Sequence, residues 1–344
     1  MRRAWAPVMA LLGWGLMAVL CWHLLQWAVV HAVWQPDATA CQNSPHGACW
    51  GVVPAKALPI LLGHYPEDQR WRPLLFMLAS MACLWAFARA RADRRLGWWL
   101  LCGAVWLPVA ILLLRGGWGP LSLVPPTDWG GLPLTLMLFL GSWWLSVPLG
   151  IMLAVARHQG GLAGWLATGA IELIRGVPLI TLLFASVFAL PLLLPTDHTP
   201  PLVLRAALAL VLFSAVYLAE VVRGGLQTVP PEQAEAGKVL GLGYWGIQRR
   251  IVLPQALRSV LPGLTGHAIG LLKDTSLVVV VGVHELTGGL SLVMSGDPVW
   301  RPHHFEAYLF VGLIYALLCL GLSLGGRRLE RRWLDEKKAR LRRA

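Results

Sequence analysis

The sequence predicts an all-α polytopic membrane protein with about eight transmembrane helices. Three observations carry that fold class. Hydrophobic residues make up 57% of the 344 positions and charged residues only 13%, and the mean hydropathy is +0.62. These values belong to membrane proteins rather than soluble domains. The apolar runs also approach the roughly 20 residues that a helix needs to cross a bilayer. Finally, the basic residues cluster at the ends of those runs.

The expected spans are residues 6–33, 74–88, 96–114, 131–156, 179–194, 202–222, a run near 268–283, and 307–324. The first begins Met-Arg-Arg, like a secretory signal. Its apolar stretch exceeds the roughly 7–15 residues of a signal core, so a retained anchor is expected. The second and fifth are short and need snorkelling ends or burial against neighbours.

Orientation follows from charge. With the N-terminus inside, the inner segments hold Arg2, Arg3, Arg89, Arg91, Arg94, Arg95, Arg157, Arg175, Arg223, Lys238, Arg249, Arg250 and Arg258, then the basic tail from Arg327 to Arg343. The outer loops keep Lys56, Arg70, Arg72, Arg115 and Arg301, with Arg205 near an outer helix end. The asymmetry puts both termini in the cytoplasm. It also accounts for the net charge of +12 without a nucleic-acid partner. Trp5, Trp34, Trp71, Trp98, Trp99, Trp118, Trp129 and Trp300 fall near the expected boundaries, where an indole anchors in wet headgroups.

Six cysteines form no zinc pattern. Cys21, Cys83, Cys102 and Cys319 lie in apolar runs as small hydrophobes. Cys41 and Cys49 share the first long polar loop, either paired or free; an outside location would permit a disulfide. Three divisions are expected. Residues 1–126 form an N-terminal extension with three spans and an outer loop at about 34–73. Residues 127–333 form a compact five-span unit, and 334–344 a basic tail. The stretch GGWGPLSLVPPTDWGG at 116–131 reads as the connection between the first two.

The second half has one long polar interruption, EQAEAGKVLGLGYWGIQRRIVLPQA at residues 232–256. Glu232 and Glu235 follow Pro230–Pro231, where a helix starts and negative charge is favoured. Gly241 and Gly243 permit a left-handed stop. A second short helix can follow from Tyr244 to Leu253, and Pro254 is expected to block its simple continuation. Such a loop is a rigid helix–turn–helix knuckle at the membrane surface.

Its register resembles the EAA loop of the membrane subunits of ATP-binding-cassette (ABC) importers. Glu235, Ala236, Gly241, Ile251, Leu253 and Pro254 match it, and only Gly237 departs, standing where the second Ala would be. IELIRGVPLITLLF at 171–184, AVYLAEVVRGGLQTVP at 215–230 and LLKDTSLVVVVGVHEL at 271–286 resemble segments of the histidine/glutamate/glutamine/arginine/opine family. ACWGVVPAK at 48–56, GHYPEDQRWRP at 63–73 and DWGGLPLTL at 128–136 resemble the longer permease subunit of general L-amino-acid importers.

The resemblance implies a type I importer permease core whose loop at about 230–256 engages a separate ABC ATPase dimer. It also implies a second permease subunit, related or identical, and a periplasmic amino-acid-binding protein. No G-x-x-x-x-G-K-[ST] phosphate cradle occurs in the chain. The expectation is therefore no enzyme activity and no cofactor or metal in this chain, with ATP and Mg held by the ATPase. The expected location is the bacterial inner membrane.

Lys273 and Asp274, followed by Thr275 and Ser276, adjoin an apolar run. Ionisable groups there mark a substrate pathway by default, because they are costly in lipid. Together they offer an acceptor for an ammonium and donors for a carboxylate, or they simply pair and cap a helix at the membrane edge. Glu172 with Arg175 and Glu220 with Arg223 are spaced i, i+3 to pair at the inner edge. Other readings are a permease for another small polar solute, a self-sufficient secondary carrier, or a membrane scaffold. A secondary carrier would be expected to show repeats and broken helices.

Overall fold

The computed structural model describes residues 2–44, 46–89, 95–119, 121–195 and 198–341. Arg91 and Arg94 of the second inner segment, and Arg342 and Arg343 of the tail, lie outside them. The chain falls into two compact units, Met1–Ile60 with Leu290–Leu313, and Leu61–Gly289 with Ile314–Ala344.

In the first unit, α1 (Arg2–Leu25) runs on through a wide turn at Gln26–Val30. A short helix, α2 (Ala38–Gln42), follows, capped by the Asp37 carboxylate, which accepts from Thr39 N–H at 2.9 Å. Cys41 and Cys49 are joined in a disulfide. Glu306 accepts from the buried Cys49 N–H at 3.0 Å, and Lys56 pairs with Asp297 at 2.6 Å. Trp27 packs against Trp50 and Phe305, and Trp34 against Trp50. Trp300, expected at an interface, is buried.

The next helix, α3 (Val52–Leu62), leads into the second unit, where α4 (Trp71–Arg89) and α5 (Arg95–Arg115) pack as a hairpin against α6 (Gly131–Gln159). Trp106 of α5 donates to Ser80 of α4 at 2.8 Å inside the core. Arg72, expected in an outer loop, is buried at the start of α4. Its Nε donates to Leu113 O at 2.7 Å, at the C-terminal end of α5, and its Nη1 reaches Ser122 O and the Gln69 side chain. A cation there faces the negative end of the helix dipole. Tyr65 caps the same end, donating to Leu114 O at 2.9 Å. Trp129 is likewise buried rather than interfacial, donating to Val124 O.

A short crosswise helix, α7 (Gly161–Arg175), is followed by α8 (Leu179–Phe184) and α9 (Leu190–Leu193), which a wide turn at Ala185–Ala189 joins. The chain bends by 102° between α7 and α8. Gly176 and Pro178 stand at the bend, and Pro178 has the extended backbone (ψ 144°) that starts a new helix. Helices α6 and α10 (Leu202–Gln227) pack along each other at the centre. Then come α11 (Pro231–Val239), α12 (Tyr244–Ile247), α13 (Leu253–Ser259), α14 (Leu261–Asp274), α15 (Leu286–Gly296) and α16 (His304–Leu341).

Each of the eight expected spans is helical over most of its length, with residues 31–33, 194 and 282–283 outside the helices. Among the described residues, five helices are long and apolar enough to cross a membrane, at Met9–Val30, Gly131–Gln159, Leu202–Gln227, Leu261–Val281 and Arg301–Trp333. The bent pair Gly161–Leu193 makes a sixth if counted as one span. The main apolar core of the second unit gathers α5, α6, α8, α10 and α14. A second cluster joins α6, α7 and α10 to residues 247–256.

Candidate functional site

The loop at 232–256 forms two helical pieces set against each other. Proline at the first turn and Glu232 beside it start α11. Its end is a Schellman motif: Leu242 N–H bonds Gly237 O at 3.1 Å and Gly241 N–H bonds Lys238 O at 2.9 Å. Gly241 supplies the left-handed residue at φ +74°. Gly243, expected to share that role, is extended at φ −68°.

The second helix does not continue simply through Pro254. Proline removes an N–H and crowds the carbonyl four residues back. The chain absorbs this in a wide turn at Gln248–Val252, where Leu253 N–H bonds Gln248 O, five residues back. The helix then continues as α13. Ile251, Leu253 and Pro254 are half-buried, with Leu253 against the cluster that includes Ile247, Val252 and Ala256.

Glu232, Glu235, Ala236, Val239 and Leu240 are exposed on α11. Their spacing of i, i+3, i+4, i+7 and i+8 puts them on one face. Gly237 is buried on the other side. Val239 is 88% and Leu240 77% exposed, and Trp245, at the start of the next helical piece, is exposed as well. This is a small apolar tip with a carboxylate rim, held by a packed base. The base is fastened to α10, since the Thr228 and Ser259 hydroxyls lie 3.0 Å apart.

Next to this base stands a charge network. Glu220 of α10 accepts from Arg157 at the end of α6, and from Arg223 at 2.9 and 3.1 Å. Arg175 lies 3.9 Å away and over the Tyr217 ring. The i, i+3 pair Glu220–Arg223 forms as expected. Glu172 instead pairs with Arg157 at 3.2 Å, because Arg175 turns towards Glu220 and Tyr217.

Of the expected pathway residues, Lys273 is exposed, Asp274 and Ser276 are half-buried and Thr275 is buried. Asp274 ends α14 and makes no ion pair among the described residues. The Thr275 and Ser276 hydroxyls donate to Leu272 O and Lys273 O at 2.6 and 2.7 Å. They tighten the helical turn Thr275–Val281, which takes up both hydroxyl protons.

Two polar groups escaped the sequence reading. His267, also on α14, contacts Ser214 at 2.9 Å, Ser214 donates to Ser146 at 3.0 Å, and Ser146 to Trp143 O at 3.2 Å. Ser214 spends its proton on Ser146, so His267 Nε2 is the donor. Its partners are 53 or more residues away, and no local pattern marks them. Glu285 is fully buried. It accepts from Thr287 and Gly288 N–H at 2.8 and 3.2 Å, Thr135 at 3.1 Å and Tyr315 at 2.6 Å. It caps α15 and ties it to α6 and α16. Its place three residues before Gly288, at a helix start, was the available signal.

Residues 146–335 match the family model of the binding-protein-dependent transport system inner membrane component. The chain is 38% identical over 315 residues to the inner membrane amino-acid ABC transporter permease protein YhdY of Escherichia coli, covering 90% of this chain and 84% of that one. It is 34% identical over 361 residues to the glutamate/glutamine/aspartate/asparagine transport system permease protein BztC of Rhodobacter capsulatus, covering 89% and 82%. Among solved structures, an amino acid ABC transporter with histidines matches with a TM-score of 0.51 and 30% identity. That match covers 59% of this chain and 92% of the solved one.

Proposed function

The chain belongs to the binding-protein-dependent transport system inner membrane components, and from that membership we propose that it carries polar or general L-amino acids inward across the bacterial inner membrane. It is a multi-pass permease subunit of an ABC importer. The partners are an ABC ATPase dimer, a second permease subunit (a related chain or a copy of this one) and a periplasmic amino-acid-binding protein. Both termini are cytoplasmic, the chain itself is no enzyme, and ATP and Mg sit on the ATPase.

The observation that carries this reading is the α11 tip, where exposed Val239 and Leu240 share a helix face with exposed Glu235 over a buried glycine, Gly237. A groove on the ATPase holds the tip. When ATP closes the ATPase dimer, the tip moves and carries the α10–α13 contact with it. Close packing leaves little slack in that contact. The cavity between permease subunits then switches its opening.

Asp274 is the acceptor for the cargo ammonium. It ends α14 without an ion pair, about two turns from His267 on the same helix face. Residues 1–126 serve as an extension and 127–333 as the transporting core. Asp274→Asn in the reconstituted importer should abolish amino-acid uptake while ATPase association persists. Normal uptake would rule that role out. Proton- or sodium-driven uptake by the chain alone would overturn the importer reading itself.

A further inference from the structure

We propose that α7 lies in the plane of the membrane surface, its outward face seated in the lipid leaflet on the side of the 232–256 loop. The outward face carries Leu162, Trp165, Leu166 and Leu173, three of them more than 70% exposed. The inward face is small or branched: Gly164, Ala167 and Ile171 are buried. A helix that is apolar on both its packed and its open face does not belong in water.

Its few polar side chains are already engaged within the protein. Thr168 donates to Gly164 O at 2.8 Å, Glu172 pairs with Arg157, and Arg175 sits by Glu220 and Tyr217. Nothing outward on the helix except Glu172 needs water.

The placement gives the direction. Leu179, Leu183 and Val187, beyond the bend, belong to the main core with α6 and α10. Ile171 of α7 belongs instead to the cluster with Ile247, Val252 and Ala256 of the loop. The 102° bend therefore turns α7 along the surface at the level of the loop. Charge agrees with a lipid occupant. Arg157, Arg175 and Arg223 outnumber Glu172 and Glu220 there, which suits anionic headgroups.

The test places a photo-reactive benzoylphenylalanine at Leu162, Leu166 or Leu173 of the full chain, in vesicles of phosphatidylethanolamine and phosphatidylglycerol. Phospholipid adducts by mass spectrometry are expected at all three positions, and none with the probe at Val239. A cross-link to a second polypeptide without lipid would overturn the proposal, as would no adduct at all. A Trp165→Phe variant gives an independent measure. Lipids brominated near the headgroup should quench the lost fluorescence component more than lipids brominated near the chain ends. Equal or reversed quenching contradicts an in-plane helix.

Discussion

A Cβ added at Gly237 would lie 2.8 Å from Ile251 Cδ1. The helix carrying the exposed tip thus rests on the next helix through a bare glycine, at the one position where the loop departs from the EAA register. By helix propensity alone, Gly in place of Ala would only loosen α11 slightly. The packing makes Gly237 the contact point of the knuckle.

Gly237→Ala gains roughly 1 kcal/mol of helix propensity and loses a similar amount by pushing the Ile251 and Ile247 side chains aside. Thermal unfolding of the detergent-solubilised chain should change by less than about 1 kcal/mol. Gly237→Leu cannot be absorbed and should destabilise the knuckle by about 2 kcal/mol.

The buried Glu285 carboxylate joins α15 to Thr135 and Tyr315. Removing it leaves donors unpaired, so Glu285→Ala should cost about 3 kcal/mol. Tyr315→Phe should cost less, because Glu285 keeps its other donors. The ordering of the two melting shifts is the check.

Arg72 holds acceptors from α5, the 116–122 connection and Gln69 at once. Arg72→Met should destabilise by about 3 kcal/mol through these lost bonds. Arg72→Lys should not restore stability, since a point ammonium cannot span the same acceptors. Recovery in the Lys variant would contradict the capping role.

The Lys56 ammonium and local N–H groups hold the Asp297 carboxyl below its usual range. A depressed native pKa means the pair stabilises fully above the ordinary carboxylate pKa. That stabilisation fades as pH falls towards the lowered value. Hydrogen exchange around residues 290–300 should therefore accelerate on acidification, and Asp297→Asn should flatten that dependence.

What was legible in the sequence was mostly local. The start of α11 at Pro231 and Glu232, its stop at Gly241 and the Glu220–Arg223 pair all follow from short-range chemistry. Pro254 marked the break in simple helix, but no residue pattern announces the wide turn that absorbs its missing N–H and lets the helix resume. Glu285 lies 150 residues from Thr135, and the Glu172 partner is on another helix. Arg72 looked like an outer-loop cation because its acceptors are backbone carbonyls far along the chain. The crosswise course of α7 was missed for a related reason: an apolar helix of 15 residues is too short to mark as a span.

The most direct measurement is co-purification of the ATPase with tagged chain, comparing wild type, Glu235→Arg and Gly241→Val. Under the proposed docking, the tip requires both its carboxylate rim and its left-handed stop. The expected result is stoichiometric ATPase with the wild type and loss of at least ten-fold in each variant, about 1.4 kcal/mol or more of binding, with unchanged membrane insertion. Full ATPase recovery with both variants would contradict the docking role of this loop.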